Sequence, residues 1–351
     1  MFKNHPIKYR WVGISPKEKL FNRARKLIVI LGPTATGKTK LAVKLANKYQ
    51  GEIVSADSRQ VYRGLDIGTG KDLGDYVVKS QKHKNTSASR RTQKQKIRYH
   101  LIDIVSPKTE FNVAEYQKLA YQAINNILSR HKIPFLVGGT GLYVDAVTKG
   151  YQFPSLTEKT QNAKPAYRQA SAKTQNLRKK LNKLTLSQLL ARLKKIDSAT
   201  YQIIDKKNRR RVQRALEIYF ETGQTKSEQL GFQKPDYDIL FLGVKFPLPE
   251  IYQKIDSRLL KRIEEGMINE VKELSKAGVS YQHLNDLGLE YRYLARYLKG
   301  EIDYQTLIND LKNAIHHLAK RQLTWFKRNK DIIWVRNYMA ADQEIKRFLE
   351  K

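Results

Sequence analysis

The residues with the clearest chemical potential form one glycine-bounded stretch near the start of the chain. Residues Gly32 to Thr39 read GPTATGKT, which fits the pattern G-x-x-x-x-G-K-T. This pattern is typical of a P-loop, in which successive backbone N–H groups point at a phosphate. Lys38 would neutralise phosphate oxygens, and the hydroxyl of Thr39 would hold Mg²⁺. The sequence therefore predicts a di- or triphosphate site, but it leaves open whether the phosphate is transferred, hydrolysed or released.

A second polar set, Asp57 to Gln60, follows the short apolar run Ile53-Val54. In an open parallel sheet, ligands gather at the carboxyl ends of the strands. Asp57 is therefore expected to point at whatever lies beside the bound phosphate, as a general base or a metal ligand. The structural alternative is an N-cap of the following turn, a role that Asp and Ser both favour. Position alone does not choose between the two.

Three further features could contribute to a site. Asp103 lies in a strand-like apolar segment, where it could hold Mg²⁺ through water or simply cap a strand end. Residues 138–143, with the sequence GGTGLY, form a second loop that lets backbone approach a ligand closely. Arg211 and Arg214 are three residues apart on a predicted helix and share a face, which suits phosphate binding or an exposed basic surface.

The elements around these residues predict an α/β protein: a P-loop NTPase-like core with a parallel sheet flanked by helices, a helical insertion and a helical C-terminal region. An apolar run leads into the P-loop, and helical spacing follows it, so a chance strand–turn–helix is disfavoured. The long segment from Pro249 to Ala277 is predicted to be one helix. Trp325 and Phe326 lie among basic residues that could grip RNA, but their spacing favours a core position.

The predicted organisation divides the chain into five segments. A basic extension precedes the core, a polar low-complexity stretch interrupts it, and a Lys-rich helical region is inserted into it. In order, these are the extension 1–25, the first part of the core 26–150 with a disordered insertion at 72–98, the helical insertion 151–204, the rest of the core with the C-terminal helices 205–335, and a tail 336–351.

The composition points to a nucleic acid as partner. The 351 residues carry a formal net charge of +34 at pH 7, far more than solubility requires. An anionic membrane is the competing partner, but no apolar run is long enough to span a bilayer. The chain contains no cysteine, which excludes disulfides and thiolate zinc sites and fits a cytoplasmic protein.

Taken together, the motifs resemble those of the tRNA dimethylallyltransferase family, also called tRNA isopentenyltransferases. The likeness extends from Lys26 to Val335, and the DSRQ element beside a P-loop is its most specific part. The segments that carry it are GPTATGKT (32–39), SADSRQVYRGLDIGTGK (55–71), HLIDIVSP (100–107), GGTGLY (138–143), NRRRVQRALE (208–217), IDSRLLKRIEEGMINEV (255–271) and AKRQLTWF (319–326).

The resemblance implies a P-loop that holds the diphosphate of dimethylallyl diphosphate rather than ATP. The acceptor would be N6 of the adenosine just 3′ of a tRNA anticodon, and the helical insertion would bind tRNA. Asp57 would be the general base, with Lys38 and Thr34 as further catalytic residues. The implied diphosphate ligands are Gly32, Pro33, Thr34, Ala35, Thr36, Gly37, Lys38 and Thr39, of which Thr39 would also hold the cofactor Mg²⁺. The implied tRNA contacts are Asp57, Ser58, Arg59, Gln60, Thr140, Arg168, Arg211 and Arg214. A monomer is expected.

Three departures from the family pattern stand out. The insertion at 72–98 is longer than usual, residues 315–318 (IHHL) replace an arginine-containing lead-in, and residues 288–291 (GLEY) are a loose version of a family segment. The alternatives are a P-loop kinase or ATPase acting on or with RNA, with Asp103 at Mg²⁺, and a noncatalytic RNA-binding protein.

Overall fold

The computed structural model describes residues 25–80, 93–153, 176–229, 231 and 233–351. The chain divides into two compact units, one made of Met1–Thr148 with Asp236–Lys351 and the other of Lys149–Pro235. The predicted α/β class is confirmed in the first unit. No helix among the described residues combines the length and the apolar character needed to cross a membrane.

A six-stranded parallel sheet organises the first unit, with strand order β5-β2-β6-β1-β7-β8. Strand β1 is central because it pairs with both β6 and β7, which places Ile30 beside Val137 and Leu242. The strands of this sheet are β1 (Lys26–Leu31), β2 (Glu52–Ser55), β5 (Tyr99–His100), β6 (Pro134–Gly138), β7 (Asp238–Val244) and β8 (Ile333–Val335).

Apolar residues cover both faces of this sheet, as expected for parallel strands. Ile28 and Ile30 of β1 face one buried cluster, while Leu27, Val29 and Leu31 face another. This alternation follows from the two-residue period of a strand. The burial fixes the carboxyl end of β1, and with it the start of the P-loop.

The helices complete both units. In the first unit they are α1 (Lys38–Lys48), α2 (Val113–Ser129), α3 (Gly141–Lys149), α9 (Leu248–Glu264), α10 (Met267–Lys276), α11 (Tyr281–Leu287), α12 (Leu289–Leu298), α13 (Tyr304–Phe326) and α14 (Tyr338–Glu350). In the second unit they are α4 (described over 176–182), α5 (Leu186–Ile196), α6 (Ser198–Ile203), α7 (Arg209–Thr222) and α8 (Lys226–Gln229).

The prediction of disorder for residues 72–98 is wrong for 72–80 and 93–98. A 3₁₀ helix, Leu73–Tyr76, leads into an antiparallel hairpin of β3 (Val77–Ser80) and β4 (Gln93–Lys96). Tyr76 and Ile97 are both 4 % exposed and pack into a core cluster of the sheet. These two apolar anchors hold the ends of the insertion, and its centre, 81–92, lies outside the described residues.

Four other expectations require correction. Residues 205–235 belong to the helical unit, since Val212 and Leu216 pack with its other helices. The segment 336–351 contains α14, which buries Ala341, Ile345 and Phe348. The single helix predicted over 249–277 is broken at Gly266, whose φ of +99° is left-handed. The strand-like segment 99–105 contains only the short β5, because Leu101 and Asp103 have positive φ. Residues 1–24 of the predicted N-terminal extension lie outside the described part of the chain.

Candidate active site

The P-loop connects β1 to α1 and leaves the start of α1 open to a ligand. Gly37 is the N-cap residue of α1, with a left-handed φ of +75°, and it provides no side-chain hydrogen bond to the helix. The first turn of α1 also contains no acidic residue. Its free N–H groups and the helix dipole therefore favour an anion at this point. The hydroxyl of Thr36 instead donates to the carbonyl of Pro33 at 2.9 Å and closes the loop.

The amine of Lys38 lies inside this loop, where its Nζ donates to the carbonyl of Pro33 at 3.4 Å. The pKa of Lys38 is lowered to about 8, chiefly by burial; the nearby charge of Asp57 opposes this effect, and the charge of Arg258 adds to it. The electrostatic effect of Asp57 indicates that its carboxylate lies near the amine of Lys38. An anionic ligand would favour the charged form of Lys38.

A cavity of about 250 Å³ opens beside the P-loop. It is formed by the P-loop and α1, by the segments around Gln60 and Gly70, by the 3₁₀ helix of the insertion and by α9. Its lining residues are Ala35, Gly37, Lys38, Thr39, Lys40, Gln60, Gly70, Lys71, Asp72, Asp75, Tyr76, Lys254 and Arg258. Of the predicted P-loop residues, Ala35, Gly37, Lys38 and Thr39 line this cavity, and Asp57 does not. The cavity also includes residues that sequence reasoning missed, above all Arg258, Asp72 and Asp75.

Asp57 follows β2 at the carboxyl edge of the sheet. Its Oδ1 accepts hydrogen bonds from the N–H groups of Arg59 at 2.9 Å and Gln60 at 3.4 Å. This is the capping role considered from the sequence, and it fixes the carboxylate in place. Within the described residues Oδ2 has no hydrogen-bond partner, so one oxygen is held and the other is available to a ligand.

Thr140 is joined directly to the loop that begins at Asp57. Its Oγ1 accepts a hydrogen bond from the N–H of Ser58 at 3.0 Å. The preceding Gly138 makes this contact possible, because a Cβ there would lie 2.1 Å from the carbonyl oxygen of Ala56. Gln60, at the end of the loop, donates from Nε2 to the carbonyl of Gly70 at 3.2 Å. The predicted residues after β2 and β6 therefore form one connected surface.

Gln322 of α13 bridges the P-loop and the loop after β6. Its Oε1 accepts from the N–H of Thr34 at 2.9 Å, and its Nε2 donates to the carbonyl of Gly139 at 2.9 Å. Gln322 lies within the AKRQLTWF motif, but its role was not predicted because both partners are far away in sequence. In the same motif, Phe326 is buried and Trp325 Nε1 donates to Asp145 at 3.0 Å. The core interpretation of Phe326 is thus confirmed.

Asp103, a candidate Mg²⁺ residue in the sequence, and His316 both have structural partners. Lys71 has a side chain only 1 % exposed and binds the carboxylate of Asp103. The same amine contacts the carbonyl of Tyr62 at 2.6 Å and Asp66 at 2.7 Å. Asp103 is thereby committed to holding a turn together, which argues against its proposed Mg²⁺ role. His316, in the departing IHHL segment, bonds Asp256 of α9 at 2.8 Å.

In the second unit, Arg211 and Arg214 are both exposed on α7. Arg214 Nη1 lies 3.1 Å from Glu217 and 3.6 Å from Glu221. Burial lowers the pKa of Lys226 in α8, and the charges of Arg211 and Arg214 contribute. The three cations therefore lie near one another in the second unit. Arg168 lies outside the described residues.

The central parallel sheet, with a glycine-bounded loop between β1 and α1 and a polar cavity beside it, defines a P-loop protein of the α/β class. The family model described as "IPP transferase" matches residues 60–329, and the one described as "Isopentenyl transferase" matches residues 25–83. The chain belongs to this family, whose curated relatives are named tRNA dimethylallyltransferase.

Two curated relatives illustrate the extent of the similarity. The tRNA dimethylallyltransferase 1 of Geotalea uraniireducens is 40 % identical over 302 residues, covering 86 % of this chain and 88 % of that protein. The tRNA dimethylallyltransferase 1 of Syntrophus aciditrophicus is 39 % identical over 328 residues, covering 92 % and 98 %. The similarity therefore spans both units.

Two solved structures are similar as well. The full-length tRNA isopentenylpyrophosphate transferase from Bacillus halodurans matches with a TM-score of 0.62 and 34 % identity, covering 93 % of this chain and 97 % of that one. A eukaryotic dimethylallyltransferase, whose structure was determined acting on tRNA, matches with a TM-score of 0.64 and 24 % identity, covering 92 % and 77 %. The second match supports the fold.

Proposed function

We propose that this protein transfers a dimethylallyl group from dimethylallyl diphosphate to N6 of the adenosine 3′-adjacent to the anticodon in tRNA. One observation carries the proposal: a phosphate-binding loop with Lys38 lies beside a carboxylate, Asp57, that keeps one oxygen available to a ligand. The loop with Lys38 would stabilise the leaving diphosphate, and the carboxylate of Asp57 would accept the proton that the attacking amine must lose. The names of the family members support the same reaction.

The reaction breaks one bond and forms another. The C–O bond between the allylic carbon and the diphosphate breaks, and its electron pair stays on the diphosphate. The N6 lone pair forms the new C–N bond, and the N6 proton passes to the carboxylate of Asp57. The open N–H groups of the P-loop and the amine of Lys38 stabilise the charge that grows on the diphosphate. Asp57 assists because an exocyclic adenine nitrogen is a poor nucleophile.

The cavity also suits the proposed Mg²⁺. Thr39, Asp72 and Asp75 are among its lining residues, and Mg²⁺ prefers hydroxyl and carboxylate oxygens as ligands. Asp72 also pairs with Arg258 at 2.9 Å and Asp75 with Lys40 at 3.6 Å, so each would hold the ion through its remaining oxygen. Among the described residues there is no cluster of three or more histidines, cysteines or carboxylates that would form a dedicated metal cage. This fits an ion that keeps water ligands and shares the phosphates of a substrate. When bound, the ion would neutralise part of the diphosphate charge.

The proposed acceptor is tRNA, and a net charge of +34 suits such a polyanion. Ser58, Arg59, Gln60 and Thr140 would position the target base, which must leave its stack to reach Asp57. In the helical unit, Arg211 and Arg214 would contact phosphates, and Arg168 completes the proposed set. We also propose that the protein is a monomer and is located in the cytoplasm.

The alternative of a P-loop kinase or ATPase gains no support, since Asp103 is bound to Lys71. The test is to incubate the protein with unmodified tRNA, dimethylallyl diphosphate and Mg²⁺, and to digest the tRNA for nucleoside mass spectrometry. N6-dimethylallyladenosine should appear with the wild-type chain and not with Lys38→Ala. Absence of the product, with tRNA binding intact, would refute the proposal, and ATP turnover without tRNA would point to the alternative.

A further inference from the structure

Two arginines of α9 converge on the backbone of Gly70. Arg258 and Arg262 are one turn apart and share a face of the helix. A Cβ on Gly70 would lie 1.5 Å from Nη2 of Arg262 and 2.3 Å from Nη2 of Arg258, so the two Nη2 atoms are at most about 4 Å apart. Gly70 also has a left-handed φ of +63°. A glycine is therefore required here, both by the backbone and by the two guanidinium groups packed against it.

The two arginines differ in their partners. Arg258 donates from Nη2 to Asp72 at 2.9 Å and to the carbonyl of Gly70 at 3.5 Å. By contrast, Nη2 of Arg262 is buried without a hydrogen-bond partner among the described residues. Burial lowers the pKa of Arg262 to about 10, and the charge of Arg258 adds to the effect. Nη2 of Arg262 therefore has unused hydrogen-bonding capacity beside a second guanidinium group, and an added anion would satisfy it.

The space beside Arg262 adjoins the P-loop. A recess of about 20 Å³ is lined by Arg258, Arg262 and Glu290 together with Thr34 and Ala35 of the loop. Arg258 and Ala35 also line the larger cavity, so the recess and the cavity are adjacent. Glu290 lines the same recess and its charge favours the ionised form of Arg262, but no carboxylate of the described chain lies within 4 Å of the Arg262 guanidinium. Nη2 of Arg262 lies against Gly70, which lines the larger cavity, while Arg262 itself lines the recess beside it.

We propose that Arg262 is a further diphosphate-binding residue, which forms with Arg258 a guanidinium pair opposite the P-loop. This inference rests on the proposed function. The pair would receive the anionic oxygens of the diphosphate that the P-loop amides leave uncovered, through charge-assisted hydrogen bonds. As the C–O bond breaks and its electron pair moves to the diphosphate, the pair stabilises the added charge. Arg262 neither gives nor takes a proton, because the N6 proton goes to Asp57.

The direct test measures binding of inorganic diphosphate with Mg²⁺ by titration calorimetry, with no tRNA and no prenyl donor. We expect Arg262→Gln to weaken binding on the order of tenfold, because one charge-assisted contact is lost. Arg262→Lys keeps the charge without the planar fork, so its affinity should lie in between. The matched control is Lys261→Gln on the same helix, whose side chain is 73 % exposed and should leave binding unchanged.

Thermal unfolding confirms that each variant is folded before it is titrated. If the wild-type chain binds diphosphate and Arg262→Gln binds it equally well, the inference is wrong while the proposed function stands. If the wild-type chain does not bind diphosphate, the proposed function fails and the inference fails with it. In steady-state assays Arg262→Gln should raise the KM for the donor alone. An equal rise in the KM for tRNA would contradict a direct contact with the donor.

Discussion

Replacing Gln322 tests whether the P-loop needs support from α13. The Gln322→Ala change removes both hydrogen bonds of the bridge, each 2.9 Å long, and leaves the Thr34 N–H and the Gly139 carbonyl without this partner. A neutral hydrogen bond contributes about 1 kcal/mol net, so the bridge contributes about 2 kcal/mol. Since 1.4 kcal/mol corresponds to about a factor of ten, donor binding should weaken roughly 30-fold.

The assay is steady-state prenyl transfer to tRNA with the donor concentration varied. The KM for the donor should rise, while the affinity for tRNA in a filter-binding assay should change little. The matched control is Gln305→Ala in the same helix, because the exposed side chain of Gln305 hydrogen-bonds to the exposed Asn309, far from the P-loop in sequence. A Gln322→Ala variant with an unchanged or lower KM for the donor would refute the idea that the bridge holds the P-loop in its binding conformation.

Three other predictions concern stability, pH and tRNA. Glu52→Gln should lower the free energy of unfolding by about 3–5 kcal/mol in urea titrations, because Arg130, Lys132 and His100 lose a carboxylate that is 1 % exposed. The control is Glu273, which pairs with Lys276 and has a side chain 58 % exposed, and an equal loss in Glu273→Gln would contradict the difference in burial. The affinity for inorganic diphosphate should fall as the pH rises through about 8, because Lys38 of the ligand-free protein loses its proton there. An affinity that does not change with pH in titration calorimetry would exclude Lys38 from the site. Arg211→Ala combined with Arg214→Ala should weaken tRNA binding and flatten its dependence on salt, whereas an unchanged slope would remove both arginines from the phosphate interface.

The cluster around Glu52 also sets the acid limit of stability. Burial alone would raise the pKa of Glu52, but hydrogen bonds from Arg130, His100 and Lys132 hold it well below its usual range. Burial lowers the pKa of His100, which Glu52 only partly offsets. Both groups therefore take up protons more readily in the unfolded chain. Stability should decline as the pH falls through 6.5, the ordinary value for histidine, and decline further below 4.5, the ordinary value for glutamate.

Local patterns explain what the sequence predicted well. The P-loop could be recognised because its glycines, Lys38 and Thr39 are adjacent in the chain, and its flanks show the periods of a strand and a helix. The apolar run of β1 likewise indicated a strand buried on both faces. The motif order identified the family without any knowledge of the three-dimensional contacts.

Long-range contacts explain what the sequence did not predict. The Gln322 bridge joins residues 288 positions apart, and neither partner carries a signal for the other. The ends of the insertion are ordered by Tyr76 and Ile97, whose burial depends on the sheet beneath them. The break at Gly266 was missed because a glycine within a helical pattern is often tolerated. Arg262 could not be distinguished from a surface arginine in the sequence, because its special feature is the packing of its guanidinium group, with that of Arg258, against Gly70.

The central claim is that Asp57 takes the proton from N6 while the P-loop holds the donor. Single-turnover prenyl transfer and tRNA affinity, measured side by side for the wild-type chain and Asp57→Ala, test it most directly. The account predicts that Asp57→Ala abolishes transfer and leaves tRNA affinity nearly unchanged. A variant that still transfers the prenyl group at the wild-type rate, or one whose tRNA binding collapses, would contradict the assignment of Asp57 as the general base.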